Sequence, residues 1–262
     1  MKYIISYSGG KDSTAALLYL YEQFPADQID VAFCDTGWET KTTYDYVEFV
    51  EKWCNEKGIG FYRIVPPLQF EELVKQKGFP PLVRARYCTS YLKIKPMQMF
   101  HSRYREIYPD FTIVVGERAE ESPSRAKKPE KEFDDKYSHA DIWRPLLRWT
   151  ATEVFEFHKK HNFPINPMYR NGFTRVGCSP CIFARQADIV NIFKQYPEQI
   201  EKVREIEKVF HEKTGDKPSF FGNGKTIDET IAYCSRKTAH GCIEDFLPED
   251  SVCPAHYAIL CE

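Results

Sequence analysis

The chain has 262 residues, with 36 Lys+Arg against 38 Asp+Glu and a formal net charge of −2. That length suits one large α/β domain, or one domain with an extension, and the near balance of charge argues against a polybasic nucleic-acid or membrane-surface protein. No apolar run is long enough to cross a bilayer and no signal-peptide pattern opens the sequence, so its nine cysteines point to reduced thiols in a cytoplasmic protein, some acting as ligands or redox groups.

Residues 2–6 predict a buried strand, and residues 13–23 carry apolar side chains at helical spacing (Ala15, Ala16, Leu17, Leu20, Tyr21). Further strands are predicted at 29–34, 60–65, 111–115 and, despite Pro145, 142–147. Helices are predicted at 41–57 and 94–107. Strands alternating with helices predict a Rossmann-like parallel sheet with helices on both faces, whose ligands bind beyond the carboxyl ends of the strands. The segments SGGKDS, DTG and GERAEES all fall at such ends. After Thr150 the pattern changes. A helix at 152–160 gives way to a loop-rich stretch at 163–183 with a CxxC, and a charged helix at 197–214 is closed by Gly215. The last fifty residues hold four of the nine cysteines and predict no sheet. The chain thus divides into a nucleotide-binding domain over residues 1–185 and a small helical, cysteine-containing region over 186–262.

Ser8-Gly9-Gly10-Lys11-Asp12-Ser13 stands between the first strand and the first helix. Glycines there permit backbone angles other residues resist and remove side chains that would block an anion. Successive N–H groups then form a nest, strengthened by the free donors of the helix start. Phosphate is its natural occupant. Lys11 adds a point charge, and the hydroxyls of Ser8, Ser13 and Thr14 are placed to donate to phosphate or to cap the helix. The Asp12 carboxylate suits a Mg²⁺-bearing nucleotide, or it fixes the loop. The spacing is not that of a Walker A loop. A second Gly-Lys-Thr, in SFFGNGKT at 219–226, lacks both the first glycine and a preceding strand and reads as a loop before a helix.

SGGKDS after a first strand resembles the pyrophosphate loop of the adenine-nucleotide alpha-hydrolase-like superfamily. CDTGWETKTTYDYVE is similar to the second strand and helix of that superfamily. RYCTSYLKIKP, GERAEESPSRA, WRPLLRWTATEVFEFH and NPMYRNGFTRVGCSPCIF together resemble the phosphoadenosine phosphosulfate reductase-like family over roughly residues 1–185. That family includes sulfonucleotide reductases and ATP-cleaving relatives in DNA phosphorothioation. The resemblance implies an adenine nucleotide, ATP or an adenylyl sulfate, in the crevice. Two features depart from the reductases. Their first loop usually lacks the full SGGKDS form, which is more typical of members that use ATP and release pyrophosphate. Their Glu-Cys-Gly-(Leu/Ile)-His segment, which carries the catalytic thiol, has no counterpart in these 262 residues.

In GERAEESPSRA, Arg118 and Arg125 are candidates to clamp phosphates in bidentate fashion. Glu117, Glu120 and Glu121 then orient the arginines or hold Mg²⁺, and Gly116 marks the strand end. Asp35-Thr36-Gly37 either touches ribose or adenine or simply terminates its strand. Residues 84–105 hold Arg84, Arg86, Lys93, Lys95, Arg103 and Arg105 with interleaved aromatics and no acid. That composition suits a nucleic acid, a protein partner or a second anionic substrate, or a solvated helix face. Cys178 and Cys181 form the CxxC, and by resemblance Cys88 faces the same region. Three thiolates there point to a 4Fe–4S cluster, with zinc or a dithiol redox pair as rivals. A cubane needs a fourth ligand, and Cys234, Cys242, Cys253 and Cys261 are candidates. The reductases of the cluster type use a Cys-Cys pair where this chain has Cys88-Thr89. Cys34 and Cys54 read as core residues, and His158 and His161 as surface histidines.

The first reading is an enzyme that cleaves ATP to AMP and pyrophosphate to activate an acceptor for sulfur incorporation, with Lys11, Asp12, Arg118 and Arg125 at the reacting phosphates. The second is a phosphoadenylyl-sulfate or adenylyl-sulfate reductase that releases sulfite. A third, of another class, is a nucleotide-sensing subunit of a nucleic-acid modification or defence complex.

Overall fold

The computed structural model describes residues 1–82, 85–136 and 138–239. The elements in chain order are β1 Lys2–Tyr7, α1 Lys11–Gln23, β2 Ile29–Cys34, α2 Lys41–Lys57, β3 Gly60–Ile64 and α3 Phe70–Lys77. A short α4 (Tyr87–Thr89) passes through a π turn at Ser90–Ile94 into α5 Lys95–Ile107. Then come β4 Phe111–Val115, α6 Pro123–Ala126, β5 Lys131–Asp134, β6 Ala140–Trp143, α7 Ala151–Lys160 and α8 Pro167–Arg170. The chain closes, over the described residues, with α9 Gln186–Gln195, α10 Pro197–Thr214 and α11 Ile227–Ala239.

Six strands form one sheet in the order β3-β2-β1-β4-β6-β5. All neighbours are parallel except β5, which runs antiparallel to β6 at the edge. Strand alternation sorts the core into two layers. Ile5, Tyr7, Val31, Phe33 and Val114 face α1, α2 and α7. Ile4, Ala32, Ile113, Val115 and Ile142 face Met97 and Tyr104 of α5. The sheet therefore has helices on both faces, as the alternation of elements predicts. The chain leaves β1 toward β2 on one side and returns to β4 on the other, so β1/β4 is the topological switch point, where open α/β sheets bind ligands.

Local chemistry explains the boundaries. Thr40 caps α2 by accepting the Thr43 N–H, and Gly58, at φ 77°, ends it in the left-handed conformation. Thr150 and Glu153 form a capping box on α7. The fifth predicted strand is corrected: it spans Ala140–Trp143, not 142–147, because Pro145 has no N–H to give a ladder. The edge strand β5 and helices α3 and α9 went unpredicted. Helices α9, α10 and α11 pack with α3 and with Trp38 in a third core, so this region rests directly on the loops at the sheet's carboxyl end. No helix among the described residues is long and apolar enough to cross a membrane.

Candidate functional site

The first loop is wound on itself. Gly9 takes φ 79°, and a Cβ there would stand 3.2 Å from Val47. The hydroxyls of Ser13 and Thr14 donate to the Gly10 carbonyl at 3.1 and 2.9 Å. Gly10 N–H donates to Ser8 Oγ and Ser8 N–H to Ser13 Oγ, each at 3.3 Å. Gly116 at the end of β4 lies so close that a Cβ would be 2.6 Å from the Asp12 carbonyl. Residues 158–169 then hold the loop from the far side of the chain. Asn166 Nδ2 donates to Gly9 O at 3.1 Å, His158 Nε2 donates to Lys11 O at 2.8 Å, and Lys11 N–H donates to the Tyr169 hydroxyl at 3.1 Å. His158 is therefore not the surface residue that its polarity predicts; it is buried, and desolvation holds its pKa below the usual imidazole range.

Charge gathers at the same place. Lys11 Nζ is 2.6 Å from one oxygen of Asp12 and Arg118 Nε is 2.5 Å from the other, all three side chains being nearly buried. Arg118 also pairs with Glu120. Asp12 thus fixes two cations at the loop rather than presenting a free carboxylate to a metal. Arg125 lies one step behind, paired with Glu121 at 2.5 Å and 3.7 Å from Glu117. Glu117 has no exposed surface and also binds Lys128 and Arg144, each at 2.8 Å.

One cavity adjoins the loop at Ser8, and a second lies beyond it. A pocket of about 520 Å³ includes Ser6, Ser8, Ala32, Cys34, Glu39, Met97 and Val115 in its lining. A cleft of about 870 Å³ is lined by Thr36, Thr89, Met168, Ser179 and the thiols of Cys88, Cys178 and Cys181. Lys93 and Gly177 line both, so they form the wall between them. The second strand's exit shapes the cleft. Asp35 accepts the Gly37 N–H at 3.1 Å and the Tyr44 hydroxyl at 2.8 Å. Thr36 donates to Glu39 at 2.7 Å and lies 3.7 Å from Cys178 Sγ. The CSPC turn is pinned by Ser179 N–H to Trp38 O (2.7 Å) and by the Trp38 indole to Pro180 O (3.1 Å). Burial pushes the Cys178 thiol up to about 12, Lys93 opposing and Glu39 reinforcing the shift. Burial likewise raises Cys34 to about 12.

The three thiols share a cleft, as the cysteine pattern implies. Among the described residues, however, no three His, Cys, Asp or Glu side chains gather closely enough to hold a metal ion. Cys234 is buried in the α9–α11 core, and Cys242, Cys253 and Cys261 lie outside the described residues. As placed, Cys88, Cys178 and Cys181 do not by themselves form a site for a 4Fe–4S cluster or a zinc ion among the described residues. The basic stretch is also partly outside the description, at Arg84. Of the rest, Arg105 donates to the carbonyls of Ser138 and His139, Arg86 lies over Phe183 at 5.2 Å, and Lys95 lies over Tyr91 at 4.2 Å.

The structure brings together the loop and Arg118, which the sequence singles out, with His158, Asn166 and Tyr169, which it does not. These residues lie about 150 positions from the loop, inside the segments WRPLLRWTATEVFEFH and NPMYRNGFTRVGCSPCIF that carry the family resemblance.

A glycine loop feeding a helix at the switch point of a mainly parallel sheet defines the class: an α/β protein of the nucleotide-loop type. The sequence profile of the phosphoadenosine phosphosulfate reductase domain matches residues 2–184, and the chain belongs to that family. An uncharacterized 37.8 kDa protein of Escherichia phage 186 is 32% identical over 258 residues, covering 79% of this chain and 74% of that protein. The adenosine 5'-phosphosulfate reductase of Allochromatium vinosum is 30% identical over 178 residues, covering 66% of this chain and 64% of that enzyme. The chain spans less than half, 47% and 42%, of two uncharacterized Methanocaldococcus jannaschii proteins that it matches. Among solved structures, the phosphoadenylyl-sulfate reductase of Candida auris in a phosphate complex shares the fold, with a TM-score of 0.50 and 20% identity over 68% of this chain and 80% of that one.

Proposed function

We propose that this chain is an enzyme that binds an adenine nucleotide, with the phosphates against residues 8–13 and the base in the pocket that begins at Ser8. The observation that carries this reading is the juxtaposition of three features. Lys11 and Arg118 are fixed on either side of Asp12, their loop meets the pocket at Ser8, and Lys93 and Gly177 separate that pocket from the thiol cleft. The substrate that fits best is Mg·ATP. An acceptor oxygen attacks the α-phosphorus, the bond to the α–β bridging oxygen breaks, and pyrophosphate leaves with that electron pair. Lys11 and Arg118 stabilise the growing charge, in a buried setting where such contacts are strong. The adenylated acceptor is then open to a sulfur nucleophile, AMP leaving. Arg125 acts through Glu121, which accepts the Arg118 N–H at 2.8 Å. Lys93 and the partly exposed Tyr91 beneath Lys77 and Lys95 suit an anionic acceptor such as nucleic acid.

The resemblance to an adenosine 5'-phosphosulfate reductase, and thiols one wall away from the nucleotide pocket, favour the rival reading of sulfite release. Anaerobic incubation with ATP and, separately, with adenylyl sulfates decides between them. Pyrophosphate from ATP is the expected result. Sulfite from an adenylyl sulfate replaces this reading with the reductase, and tight binding without any product leaves the sensing subunit. Iron, sulfide and zinc analysis of the same sample tests the metal: stoichiometric iron and sulfide would restore the cluster that the cysteine pattern predicts.

A further inference from the structure

Ser6 is paired in register with Ala32 of β2 on one side and Val115 of β4 on the other. Its neighbours Ile5 and Tyr7 point into the core beneath α1 and α2, while Ile4 points toward α5. Alternation therefore places Ser6 on the α5 face, where it lines the 520 Å³ pocket with Ala32, Val115 and Met97. Ser6 Oγ is buried and has no hydrogen-bond partner among the described residues.

An unpaired buried hydroxyl costs stability, and the strand has no need of it. Serine is also a poorer strand former than the Ile and Val residues around it. A hydroxyl kept here at that cost is accounted for by a ligand that completes its hydrogen bond. Ser8, two residues on, lines the same pocket and accepts the Gly10 N–H in the phosphate loop. A nucleotide whose phosphates lie on the loop would lay its base over Ala32, Val115 and Met97, with the polar edge at Ser6.

We propose that Ser6 determines base specificity, its hydroxyl pairing with the polar edge of the adenine ring. The inference rests on the nucleotide reading above, for ATP and adenylyl sulfate alike, since both carry the same base. The test is calorimetry on wild type and Ser6→Ala with ATP, adenylyl sulfate, GTP and inorganic pyrophosphate, alongside thermal melting without ligand. Ser6→Ala is expected to weaken ATP and adenylyl sulfate about tenfold, the size of one good hydrogen bond. Pyrophosphate binding should not change, the preference for ATP over GTP should shrink, and the unliganded variant should melt no lower than wild type. Unchanged ATP affinity in Ser6→Ala overturns the inference while leaving the nucleotide site in place. A lower melting temperature with equal loss of pyrophosphate binding also overturns it, by making the hydroxyl part of the fold. A wild type that binds neither adenine nucleotide removes the nucleotide reading and this inference together.

Discussion

Glu117 and Arg118 are adjacent, and they serve two different charge networks. Arg118 reaches across to Asp12 in the first loop, where Lys11 holds the other carboxylate oxygen. Glu117 turns the other way and is enclosed by Arg125, Lys128 and Arg144, with no surface exposed. One carboxylate stands at the start of a helix, just after a loop that reaches a pocket at Ser8, and holds two cations. The other is sealed by three cations in a setting that offers a ligand no entry. A buried charge is therefore no sign of function by itself; what distinguishes the Asp12 network is that the loop leading into it reaches a cavity, at Ser8.

That contrast is broken most directly by removing one member of each network. Arg144→Ala should destabilise the protein by about 3–5 kcal/mol, because it strips a fully buried carboxylate of a partner. Denaturant unfolding reads this, and a loss below about 1 kcal/mol would mean that Glu117 does not depend on Arg144. Arg118→Ala should weaken ATP or adenylyl sulfate binding by roughly tenfold or more, the worth of a charge-assisted contact. Arg125→Gln, which reaches Arg118 only through Glu121, should change that affinity by less than about threefold. Equal losses in the two variants, read by calorimetry, would merge the networks into one phosphate clamp.

A smaller effect concerns His158. Burial lowers its pKa, the carbonyl partner and the Asp12 charge opposing but not reversing the shift. Between that depressed value and the ordinary imidazole pKa of about 6.5, the unfolded chain binds a proton that the native state refuses. Stability from this group is thus complete above about pH 6.5 and falls as the pH is lowered through that window. Unfolding curves of His158→Gln should show a shallower loss over the same range. An identical slope would place the pH dependence elsewhere.

Much of the fold was legible because it depends on local pattern. β1, β2 and β4 are short, largely apolar runs, followed by Ser8-Gly9, Asp35 and Gly116, and α2 and α7 carry caps at their starts. The edge strand β5, KEFD, was not legible, since its residues are mostly exposed and give no apolar alternation. The glycine loop was legible from six consecutive residues. Its supports were not: His158, Asn166 and Tyr169 act through single hydrogen bonds to loop backbone, and the loop's own sequence carries no trace of them. The run GERAEESPSRA reads as one charged loop, and only the partner that each side chain finds divides it.

The central claim is that residues 8–13 hold the phosphates of an adenine nucleotide. Isothermal titration of ATP and of adenylyl sulfate into wild type and Lys11→Ala tests it most directly, with circular dichroism to show that both are folded. The account predicts saturable binding of at least one nucleotide to wild type and a loss of roughly tenfold to a hundredfold in Lys11→Ala, the range for one charged contact in a buried site. Equal affinity in the two proteins, or no binding of either nucleotide to folded wild type, would contradict it.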